Sequence, residues 1–173
     1  MRVATRMSRS AVAATRLLGV GLTTAVAVGL AAAPASAAPD VPPIFIEGNP
    51  ALTCPAGGEG LRVPPTDAEY EVELENGETG VLNVDISDDG TLLTFSIDLG
   101  GEIAVRSVTV KGGPNANRYV YDAANGFPNG TTGDDDLVSP LNPGGNIPEI
   151  SHIDFCFIPS DYDNGNGNGG GTA

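Results

Sequence analysis

From Glu69 to Asp122 apolar and polar residues alternate almost without interruption. Successive side chains of a strand point to opposite faces, so such a run sorts itself into one apolar and one polar face and predicts half-buried β-strands. Tyr70, Val72 and Leu74 alternate with Glu69, Glu71, Glu73 and Glu75, which puts apolar groups on one face and carboxylates on the other. Thr66 and Glu69 have capping-box spacing, but the alternation and the preceding Pro64 and Pro65 decide for a strand. An Asn76-Gly77 turn follows, then a strand with Leu82, Val84 and Ile86, a turn over Ser87 to Gly90, and a strand with Leu93, Phe95 and Ile97. After Gly100-Gly101 the apolar parity changes, from Ile103 and Val105 to Val108 and Val110. One inserted residue flips every later side chain to the other face, so a β-bulge is expected near Arg106-Ser107.

Arg118 to Asp122 carries Tyr119 and Tyr121 on one side, and Ile150 to Ile158 alternates Ile153, Phe155 and Phe157 against His152, Asp154 and Cys156. Short strands are expected at Ile44 to Ile46 and Gly60 to Val63. The sum is an all-β fold, an antiparallel two-sheet β-sandwich of about seven strands with no helix. Residues 123 to 149, rich in Pro and Gly, show neither period and read as one long loop, a class of segment that is often functional.

Charge divides the chain. Arg2, Arg6, Arg9 and Arg16 precede a nearly uncharged run from Leu17 to Pro39, whereas all 22 acidic residues lie at Asp40 or later. A cationic start, the apolar stretch LLGVGLTTAVAVGLAAA and the small residues Ala35, Ser36 and Ala37 read as a signal peptide over residues 1 to 37, with cleavage expected after Ala37, against the competing reading of a transmembrane anchor. The remainder holds four cations (Arg62, Arg106, Lys111, Arg118) against 22 carboxylates, a net charge of −18. Such a surface repels phosphate backbones and anionic lipid, which excludes nucleic-acid binding and membrane attachment after cleavage. The exported protein is expected to be extracellular and monomeric. Residues 38 to 160 make one domain, and the Gly- and Asn-rich residues 161 to 173 are expected to form a disordered tail.

Two cysteines allow one intramolecular pairing, Cys54 to Cys156. An oxidising compartment favours that bond over two free thiols, the other reading.

The runs VKGGPNANRYVYD, DLVSPLNP and ISHIDFCF, in that order, resemble a pattern of exported bacterial proteins and cell-surface β-sandwich modules. The resemblance spans about 50 residues. It implies export, a β-fold and a paired Cys156, and it transfers no catalytic residue. Many such modules are tethered to the cell surface by appended segments, and this chain departs from them in its bare Gly-rich tail.

Candidate sites are few. His152 is the only histidine, so any histidine-based hydrolysis runs through it, yet no Gly-x-Ser-x-Gly elbow supplies a nucleophile and Cys156 is committed if paired. The competing reading has His152 hydrogen-bonded to backbone, Ser151 or Asp154. Asp134, Asp135 and Asp136, with Asn129 and Asn142 nearby, are the densest set of oxygen donors and the candidate calcium site, although no EF-hand spacing is present. A solvated acidic loop is the alternative. Tyr119, Tyr121, Phe127 and Tyr162 are candidates for a sugar-stacking platform, against the usual burial of aromatics. One His and two Cys cannot by themselves complete a zinc site. No other cofactor is expected. The function this supports is a secreted, non-enzymatic binding or structural module for an extracellular protein or glycan. The alternatives are a hydrolase using His152 or an Asp/Glu pair, and an effector or inhibitor acting through the 123–149 loop.

Overall fold

The computed structural model describes residues 2–6, 39–55, 58–98 and 100–160. Among them ten strands run in chain order: β1 Arg2–Arg6, β2 Ile44–Ile46, β3 Glu59–Val63, β4 Ala68–Glu73, β5 Thr79–Ile86, β6 Leu92–Ile97, β7 Ile103–Gly112, β8 Asn115–Val120, β9 Gly133–Val138 and β10 Ile150–Pro159. One 3-10 turn, Ala123–Asn125, follows β8. The strands form two antiparallel five-stranded sheets, ordered β1-β4-β5-β6-β9 and β2-β8-β7-β10-β3. The expected all-β two-sheet sandwich is therefore present.

Alternation in the sequence becomes layering in the fold. Tyr70, Val72, Leu82, Val84, Leu93, Phe95 and Ile97 of the first sheet meet Val105, Val108, Tyr119, Ile153, Phe155 and Phe157 of the second in one apolar core. Burying this surface is the main term favouring the fold. The sheets approach closely where β5 carries Gly80, since a Cβ there would lie 2.6 Å from Cγ1 of Ile103. The bulge falls where the parity change places it. Cys156 pairs with Ser107 but Phe157 with Val105, which leaves Arg106 as the extra residue and returns both halves of β7 to the core.

In β7 and β10 nearly every residue is buried, because the second sheet is also covered on its outer face. The segment before β3 runs over it: Leu52 packs against Gly60, the Pro50 carbonyl accepts from Arg62, and Cys54 is bonded to Cys156.

The structure departs from the expected strand pattern in two places. Residues 123–149 are not one loop, because β9 lies within them and pairs with β6. Its sequence, GDDDLV, lacks apolar alternation since a carboxylate, Asp134, occupies an inward position. The register between Leu93 and Phe95 shifts as well, around Asp136 with φ of 55°. The second difference is β1, an extra strand inside the expected leader that pairs with the free side of β4. Residues 7–38 and 161–173, including the cleavage site and Tyr162, lie outside the described residues.

Candidate functional site

The candidate residues fall into two clusters. In the first, β9 holds Asp134 at 7% exposure, and three donors converge on its carboxylate. The Tyr121 hydroxyl donates to Oδ2 at 2.8 Å, the Asp40 backbone N–H reaches Oδ1 at 3.0 Å, and the Asp135 N–H reaches Oδ1 at 2.8 Å. Burial pushes the Asp134 carboxyl above its ordinary pKa, and the three hydrogen bonds oppose that shift. Burial, then the neighbouring carboxylate, raises the Tyr121 phenol, so it stays a donor. The same cluster fixes Tyr119, whose hydroxyl donates to the Val138 carbonyl at 3.0 Å and accepts from the Val138 N–H at 2.9 Å.

These contacts place the sequence candidates. Asp134 turns inward and Asp135, the next strand position, outward, whereas Asp136 is half-buried at the register shift. Asn142 closes its own turn by accepting from the N–H groups of Gly144 and Asn146. Among the described residues no group of three or more His, Cys, Asp or Glu is gathered so as to hold a metal ion. Tyr119 and Tyr121 are fully buried, and Phe127 packs edge-on against Tyr121 with centroids 5.6 Å apart. The two tyrosine rings belong to the core, and Phe127 is half-buried against it.

The second cluster lies on the outer side of β10. Asp154, 3% exposed, accepts from Arg62 Nε at 2.6 Å and Nη2 at 2.8 Å, a bidentate pair across β10 and β3. That contact raises the Arg62 guanidinium pKa further. Two residues on, Cys156 forms the disulfide with Cys54, with Cα atoms 5.5 Å apart, and no described cysteine is free. His152 pairs with Lys111 across the β10–β7 register. Its Nε2 is enclosed without a hydrogen-bond partner. Burial, then the Arg62 charge, lowers the imidazole pKa, so the fold disfavours the charged ring. Each group that could activate it is engaged elsewhere: Asp154 by Arg62, Ser151 Oγ by the Lys111 carbonyl, and Cys156 by Cys54.

The open polar surface is on the other sheet. Outward residues of β4, β5 and β6, among them Glu69, Asn83, Asp85, Thr94 and Ser96, line a recess of 430 Å³ beside Asp67. An adjoining recess of 300 Å³ shares Thr94 to Ser96 and adds Asp40, Gly133, Asp134 and Asp135. The alternation already placed Glu69 and Asp85 outward, but the arrival of Asp40 and β9 beside them depends on a strand that carries no period. No described helix is long and apolar enough to cross a membrane. Comparison with known proteins finds no matching family, no similar curated protein and no similar solved structure.

Proposed function

We propose that the protein is exported and acts outside the cell as a non-enzymatic binding module, engaging a cationic partner through the outer face of the first sheet. The observation that carries this reading is the division of that sheet: its inner face is sealed in the core, while carboxylates border the open recess on the other. With a net charge of −18 after loss of residues 1–37, long-range attraction favours cationic surfaces. The disulfide fits an oxidising compartment. The His152 version of the hydrolase alternative is less well supported, since among the described residues Asp154, Ser151 and Cys156 are engaged elsewhere.

The experiment takes protein from culture medium and measures binding of a fluorescent oligo-arginine peptide and an oligo-glutamate peptide. Retention of the first alone, weakening as salt is raised, supports the reading. Equal binding of both, or of neither, overturns it, as does recovery of the protein only inside cells.

A further inference from the structure

We infer that the β4 edge is a strand-acceptor site for an extended cationic segment of another protein. The inference rests on the export reading above and names the partner class. β4 is paired on both sides, by β5 and by β1. β1 comprises residues 2–6 and lies within the segment removed on export. Its loss leaves β4 at the border of the first sheet with a row of backbone N–H and C=O groups toward solvent, the template on which β-strand addition works.

The pairing with β1 specifies the chemistry of an incoming strand. Arg2 stands opposite Glu73, Arg6 opposite Glu69 and Ala4 opposite Glu71, with Val3 opposite Val72 and Thr5 opposite Tyr70. The register thus sets cation positions four residues apart against two glutamates of the outer face, with a small-residue position between them. Opposite charges directly across a ladder stabilise it and like charges destabilise it.

A second copy does not meet this requirement. Antiparallel pairing of two β4 strands sets glutamate rows against each other. The four cations left after export, at positions 62, 106, 111 and 118, include no two at the even, short spacing that places both on one face of a strand. The acceptor therefore selects against itself, as exposed edges of natural sheets do, and admits a foreign strand of the pattern cation-x-small-x-cation.

The test uses protein recovered from culture medium, its intact mass determined first. A capped, fluorescein-labelled RVATR peptide is titrated by anisotropy, beside EVATE and an RVATR peptide N-methylated at alternate amides. Saturable RVATR binding, weakened at least about tenfold in each control, is the expected result. On the protein side, E69K/E73K should cause a similar loss, and the peptide controls hold whether or not that variant folds. A mass beginning near residue 38 with no RVATR binding, or with equal binding of EVATE, overturns the acceptor and leaves export standing. A mass that retains residues 1–37 ends the export reading and the acceptor together.

Discussion

The Tyr121 hydroxyl donates a 2.8 Å hydrogen bond to Asp134, joining the end of β8 to β9 inside the sandwich. Asp134 also receives the Asp40 N–H, so one carboxylate organises three stretches of chain. Removing it strands the buried Tyr121 hydroxyl. We expect Asp134→Ala to cost about 2–3 kcal/mol in urea unfolding, with Tyr121→Phe and Asp134→Asn costing about 1 kcal/mol each because part of the bonding survives. An Asp134→Ala midpoint equal to wild type would show that β9 is held by its ladder alone.

Stability should respond to acid in two opposed steps. The His152 pKa is lowered in the fold, so its contribution is complete above the ordinary histidine value near 6.5 and is lost as pH falls, when the unfolded chain takes up the proton first. Asp134 is raised, so the fold takes up its proton first and gains relative stability as pH falls through that raised value toward the ordinary 3.8. His152→Gln should flatten the first step and Asp134→Asn the second, read from urea midpoints at successive pH values. A His152→Gln profile superimposable on wild type below pH ~6.5 would contradict the assignment.

The meander was legible because β4, β5 and β6 each bury one face, so period two survives in the letters. The bulge at Arg106 was legible for the same reason, as a change of parity. What stayed hidden has a common cause. In β9 a charge sits inward, satisfied by Tyr121 and Asp40, partners distant in sequence that no local pattern announces. In β10 both faces are buried from Ile153 to Ile158, so Asp154 and Cys156, which the alternation puts on a polar face, lie buried against Arg62 and Cys54. The acidic recess was half legible, through Glu69 and Asp85 but not through Asp40 and Asp134.

Gly80 is set by space. An added Cβ would meet Ile103, fully buried in the opposite sheet, at 2.6 Å. Gly80→Ala should destabilise by about 1–3 kcal/mol through overpacking. Adding Ile103→Val should recover part of that loss, although Ile103→Val alone is destabilising. Strict additivity in the double-mutant cycle would mean the two sites do not touch.

Arg62 and Asp154 are unequal partners, since the Arg62 side chain is 42% exposed and Asp154 only 3%. Arg62→Ala leaves a buried carboxylate without its guanidinium, and we expect a loss of about 2–4 kcal/mol, short of a fully buried pair because water can enter from the arginine side. Replacing both by Leu should cost less than Arg62→Ala alone, because no uncompensated charge remains. If the double replacement proves the more damaging, the pair contributes net stability.

The disulfide closes a span of 102 residues, linking the segment before β3 to the last strand. In the loop-entropy picture, a closure of about that length restricts the unfolded chain by about 4–5 kcal/mol. Folding places the same bond over the outer face of β10, where it holds the covering segment against the second sheet. C54A/C156A should therefore lower stability by about 2–5 kcal/mol and raise the urea m-value, since the unfolded ensemble expands once the tie is cut. Both signs matter. A lower midpoint at unchanged m would place the bond's effect in the folded state, on the covering segment, whereas unchanged stability would show that packing alone holds that segment against the second sheet.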